Sequence, residues 1–219
     1  MTARHTLPLA LLLAGALSCA EATSPSRVPN YEWRLVWEGG LDTLSFHWPE
    51  DMLPVKIWVE DSLDMPARVQ EGVDDWQGAF LYGEYAAVLV SDSSSADVVV
   101  RVVTPPPKAI ATVNRLNTLL PGCEGATDLD IEFIATQYEL RLPVRMYVAP
   151  RYDPATTDLT ECFRVTARHE LGHSLGLFQH TSDSRDIMYG NPEAEGLSAR
   201  DINTAQLVAH WPANLIPTR

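Results

Sequence analysis

The stretch RHELGHSLGLFQHTSDSRDIMYG, Arg168 to Gly190, decides how this chain is read. His169 and His173 stand four residues apart. On an α-helix that spacing stacks two side chains on one face, so both imidazoles can meet one metal ion. A thiolate-free, histidine-based site suits zinc in a tetrahedron with one position left for water. Glu170 stands next to the first histidine and can reach that water without binding the metal. It is expected to serve as general base. Gly176 follows His173 and stops the helix, because glycine adopts the left-handed conformation that reverses the chain. A third histidine, His180, comes within reach, and DIMYG places Met188 after a short loop. A bare H-E-x-x-H also arises by chance on solvated helices. The glycine, the third histidine and the methionine argue against that reading here.

Working outward, the helix that carries the motif reads without a breaker from Thr157 to Leu175, capped by Asp158 or Thr160. After the motif, Ser198 is the expected N-cap of a last helix, with Asp201 in a capping-box position and Pro212 as its stop. Before it, LPVKIWVED (residues 53–61), YAAVLVSD (85–92), ADVVVRVVT (96–104) and LRLPVRMYVAP (140–150) read as strands. The valine run of the third predicts burial on both faces. Val69, Val73, Trp76 and Phe80 recur at helical spacing, with Asp64 as a cap and Pro66 in the first turn. Lys108 to Asp128 is hard to read, beyond a short edge strand in AIATVNRL. The order is strand, helix, three or four strands, helix, loop, helix. That predicts an α/β (α+β) fold with one mixed, twisted sheet, an active-site helix and a C-terminal helix.

The chain has 219 residues, enough for one domain with a sizeable core. A formal net charge of −13 argues against nucleic acid and anionic membrane surfaces as partners. Residues 1–18 read as a signal peptide, because the apolar run Leu7 to Leu17 after Arg4 and His5 is too short to span a bilayer. GALSC then resembles a bacterial lipobox, which makes Cys19 a candidate for lipidation, although Ala16 replaces the preferred leucine. The alternative is ordinary signal cleavage nearby. Residues 19–45 are expected to be a tether and N-terminal segment, and 46–219 the folded domain. An exported or surface-anchored monomer follows, touching the membrane only through that lipid. With Cys19 set aside, Cys123 and Cys162 remain as a candidate disulfide in an oxidising compartment.

HELGHSLGLFQH with DIMYG resembles the metzincin zinc endopeptidases, and within them the matrixin-like group, whose pattern is H-E-x-x-H-x-x-G-x-x-H and a methionine turn. His169, Glu170, His173 and Gly176 match that pattern directly, and Met188 matches the turn methionine. The resemblance spans roughly residues 46–212, but only 169–190 is highly specific. It implies a metzincin-like zincin fold, Zn2+ as cofactor, and hydrolysis of a protein or peptide substrate through a zinc-bound water with Glu170 as base. It implies further that Met188 floors the metal without binding it. Tyr189 follows the methionine directly and is not assigned as a ligand.

One departure matters. The family places its third histidine where this chain has Gln179, and His180 stands one residue later. A glutamine carbonyl is a weak zinc ligand beside imidazole, and a loop absorbs an extra residue more easily than a helix does. His180 is therefore the expected third ligand, with Gln179 and Asp183 as alternatives. A glutamate ligand from Glu193 or Glu195 is a further alternative that leaves Gly176 unexplained. The family also implies structural Ca2+, for which Asp128, Asp130 and Glu132 are candidates; a solvated acidic loop is the plainer reading. No match to the family's inhibitory propeptide cysteine is found around Cys123. His47 and His210 read as non-ligands. The alternative function is a zinc-containing surface binding lipoprotein without turnover.

Overall fold

In the computed structural model, which describes residues 28–37, 42–107 and 113–219, the β-branched stretches become one seven-stranded sheet. The strands are β1 (Leu35–Val36) and β2 (Thr43–Leu44), which pair with each other apart from that sheet, and the seven of the sheet, β3 (Val55–Val59), β4 (Ala87–Val90), β5 (Val98–Arg101), β6 (Val113–Leu119), β7 (Cys123–Ile134), β8 (Gln137–Pro150) and β9 (Leu215–Thr218). The helices are α1 (Met65–Gly78), α2 (Thr160–Ser174) and α3 (Ala199–His210). Across the sheet the order is β4-β3-β5-β8-β7-β6, with β9 alongside β8. β3, β4, β5, β8 and β9 run parallel, whereas β7 pairs antiparallel with both β8 and β6, so the sheet is mixed. The expected fold class is observed: a mixed α/β structure with a mixed sheet, a helix carrying the motif and a C-terminal helix.

Period and burial agree along these elements. In β3 Val55, Ile57 and Val59 face the core, and in β5 Val98, Val99 and Val100 are all buried. Val69, Val73 and Trp76 form the buried stripe of α1. Trp76 Nε1 donates to Arg168 O at 2.9 Å and so ties α1 to α2. Arg168 also pairs with Asp75 from its nearly buried position. Asp64 does stand at the N-cap of α1, but in a left-handed conformation whose side chain caps nothing. For α2, Asp158, two residues ahead of the first helical residue, accepts through Oδ1 from Thr160 N at 3.0 Å. Ser198 and Asp201 form a complete capping box on α3.

Three expectations change. The stretch Lys108 to Asp128 is hard to read beyond an edge strand in AIATVNRL because its polar residues look like a loop; from Val113 on it forms β6, which does lie at the sheet edge, and enters β7, with which β6 makes a hairpin. Asp128, Asp130 and Glu132 therefore lie in a strand and not in an acidic loop. Asp128 is held by Arg115 and Glu132 by Arg141, so these carboxylates meet cations of the chain itself. The folded body also begins before residue 46. Trp33, Leu35 and Leu44 are buried, Phe178 N donates to Trp33 O at 2.7 Å, and Asn30 N reaches Thr204 Oγ1 at 3.3 Å. The signal-peptide reading and Cys19 fall outside the described residues. Cys123 and Cys162 form a disulfide that ties the start of β7 to the first turns of α2. No helix among the described residues is long and apolar enough to cross a membrane.

Candidate metal centre

The α2 helix delivers His169 and His173 from one face, as four-residue spacing requires. After Leu175 the chain reverses at Gly176, whose φ is +101°. A Cβ there would stand 2.1 Å from Phe46 O, so conformation and space both demand glycine. The reversal brings His180 back beneath the helix. The three Nε2 atoms converge: 3.0 Å between His169 and His173, and 3.2 Å from each of these to His180. Imidazole nitrogens on a tetrahedral zinc stand about 3.3 Å apart, given bonds of 2.0–2.1 Å. The cluster therefore has the size a single ion needs.

The tautomers point the same way. His169 Nδ1 donates to Ile187 O at 2.5 Å, and His173 Nδ1 donates to Leu177 O at 2.6 Å. With Nδ1 carrying the proton, each Nε2 presents a bare lone pair towards the others. Lone pairs that face each other at this range are stabilised by a shared cation. Burial, followed by the His180 charge, pushes His169 down to about 3. Burial and the neighbouring imidazoles lower His173 as well, and burial alone lowers His180. Neutral imidazole is the form that ligates. Among the described residues, these three histidines are the group of His, Cys, Asp and Glu side chains that could hold a metal ion.

The alternatives point elsewhere. Gln179 Nε2 donates to Arg34 O at 3.2 Å, so its amide faces the N-terminal segment. Asp183 pairs with Arg185. Glu193 and Glu195 are exposed, and Glu195 lies 3.9 Å from Arg164. His210 pairs with Glu84, and His47 Nδ1 contacts Trp48 O. The extra residue is taken up by the loop, where Gln179 turns to the N-terminal segment and His180 to the two helical histidines.

Glu170 is wholly buried. Thr127 Oγ1 on β7 donates to its Oε2 at 2.6 Å, and among the described residues its Oε1 has no hydrogen-bond partner, although the Thr118 hydroxyl stands near the carboxyl. Burial pushes this carboxyl up to about 8, opposed by the Thr127 and Thr118 hydroxyls. Met188 is buried against the helix. A Cβ on Gly172 would stand 2.3 Å from Met188 Sδ and 2.9 Å from Trp76 Cζ2, so only glycine lets the methionine approach the helix backbone there.

Sequence reasoning missed what holds this loop. Asp186 is fully buried and accepts from Thr181 Oγ1 at 2.8 Å, Ser198 Oγ at 2.7 Å and Arg200 Nε at 2.9 Å. Asp201 accepts from Ile187 N at 2.8 Å, Ser198 N at 2.9 Å, Tyr31 Oη at 3.0 Å and, more weakly, Met188 N at 3.4 Å. Burial raises the Asp201 carboxyl despite these donors. The capping-box position was the one signal that singled out Asp201. Nothing in the sequence marked Tyr31 or Thr127.

No protein-family model matches this chain, and no curated protein matches it. Fold and site thus define a mixed α/β protein with a three-histidine cluster that could hold a metal ion.

Proposed function

We propose that the chain is a zinc endopeptidase of the metzincin type, exported and attached through Cys19 or secreted, and acting as a monomer on protein or peptide substrates. The observation that carries this reading is the convergence of the His169, His173 and His180 Nε2 atoms, with Glu170 next in sequence to the first of them. Zinc would be held by those three nitrogens, which leaves a tetrahedral position free. Bound there, it would supply Lewis acidity towards a peptide carbonyl and lower the pKa of water. A dication beside Glu170 also favours its ionised form, against the burial that raises it. Glu170 Oε1, without a hydrogen-bond partner among the described residues, would take a proton from the attacking water and return it to the departing amine. Thr127 holds Oε2 and keeps the carboxylate aimed. Met188 is buried against the helix backbone at Gly172.

The second reading, a zinc-containing surface binding protein without turnover, is favoured by one observation: Glu170 is wholly buried. Metal analysis combined with cleavage of a broad peptide library separates the two. One zinc per chain with peptide products supports the endopeptidase. One zinc per chain with intact peptides supports the binding protein.

A further inference from the structure

Glu170 is sealed by two strands. A Cβ on Gly125 would stand 2.3 Å from Glu170 Oε1, so the β7 backbone lies directly over the carboxylate. Thr118 on β6 is the register partner of Gly125 and shares its face. Thr118 is buried, with its hydroxyl beside the Glu170 carboxyl. One residue on, Leu119 N donates to Gly190 O at 3.4 Å. Gly190 in turn lies against the third histidine, since a Cβ there would stand 3.0 Å from His180 Nδ1. The end of β6 thus runs from the base to the loop beside the metal cluster.

We propose that β6 is an autoinhibitory strand, which fills the edge of β7 where an extended peptide would pair and must swing away before hydrolysis. The inference rests on the endopeptidase reading. A peptide that offers its carbonyl to both the cluster and Glu170 would add as a strand to the nearest sheet edge. β7 would be that edge without β6, which covers it from Val113↔Asp130 to Leu119↔Glu124. The strand is latched at its far end. Arg115 Nε and Nη2 fork onto Asp128 Oδ1 and Oδ2, both at 2.6 Å, and Arg115 Nη1 donates to Pro106 O at 2.9 Å. This latch lies on the face of the hairpin opposite to Thr118, away from Glu170. At the near end Leu120 N donates to Cys123 O at 2.9 Å, which makes a turn about which β6 can swing. Opening the latch does not strand Asp128, because Arg145 on β8 stands opposite it.

The test compares peptide cleavage by the zinc-loaded wild type, Arg115→Ala, and the Arg115→Cys/Asp128→Cys pair cross-linked by oxidation. Glu170→Gln serves as the blank, and zinc content and circular dichroism check each fold. The Arg115→Ala variant should cleave about tenfold faster, the shift expected from losing one charge-assisted pair. The cross-linked chain should be at least about tenfold slower than wild type. Mild reductant should restore it, with wild type treated alike as control. If Arg115→Ala does not fold, the cross-linked pair decides alone. Wild-type rates from the cross-linked chain, or no gain from a folded Arg115→Ala, overturn the autoinhibition and leave the endopeptidase standing. No cleavage by any of the chains, each with one zinc bound, overturns the endopeptidase reading and this inference with it.

Discussion

His169 Nδ1 donates to the carbonyl of Ile187 at 2.5 Å, and Ile187 N donates to Asp201 at 2.8 Å, so one residue links a cluster histidine to the capping carboxylate of α3. The same carboxylate accepts from Tyr31 in the N-terminal segment. The cluster is therefore oriented by three parts of the chain that are far apart in sequence.

That relay makes Asp201 a positioning residue. Asp201→Asn should lower zinc affinity by roughly 10–100-fold, as loss of an outer partner of a metal ligand does. Tyr31→Phe removes a single hydrogen bond and should lower stability by about 1 kcal/mol. Competition with a fluorescent zinc chelator reads the first, and urea unfolding reads the second. Unchanged affinity in a folded Asp201→Asn would remove the relay.

The extra loop residue gives a sharp contrast. His180→Ala should lower zinc affinity by more than the ~10–100-fold typical of an outer partner. Gln179→Ala should keep the metal, because its amide faces Arg34 O. Equilibrium dialysis against zinc measures both, and the reverse order would reassign the third ligand.

Gly172→Ala inserts a methyl group into the space of Met188 Sδ. Overpacking of this kind costs about 1–3 kcal/mol. Thermal melts of the metal-free protein should show that loss. A melt equal to wild type would mean that the methionine moves freely.

The metal-free protein carries a pH signature at Glu170. Its carboxyl sits at about 8 in the fold against an ordinary 4.5. A raised folded value favours the fold fully below 4.5, and that contribution is lost as pH rises through about 8. Glu170→Gln lacks this loss. Its stability relative to wild type should therefore climb between pH 5 and pH 9, roughly the window those two values set. A constant difference across that range would mean that Glu170 is ionised in the metal-free fold.

The central motif was legible because its chemistry is local. Four-residue spacing put His169 and His173 on one helix face, and Gly176 marked where the chain had to turn. The strands rich in valine and isoleucine were legible for the same reason, since period and burial agree within a few residues. The pairing of β6 with β7 was not. Asp128 and Asp130 look like loop residues until Arg115 is placed opposite Asp128, and that pairing is a fact of register between strands. The N-terminal segment was read as a tether because Tyr31 and Trp33 find partners more than 140 residues away, at Asp201 and Phe178. Thr127 went unnoticed for a like reason: its partner, Glu170, lies 43 residues on.

Peptide cleavage by the zinc-loaded wild type and Glu170→Gln, read by mass spectrometry of the products, tests the central claim most directly. The endopeptidase account predicts new internal cuts by the wild type and a loss of at least about 100-fold in Glu170→Gln, the low end of a general base's contribution, with one zinc retained in both. Equal cleavage by the two, or intact peptides from a folded, zinc-loaded wild type, would contradict it.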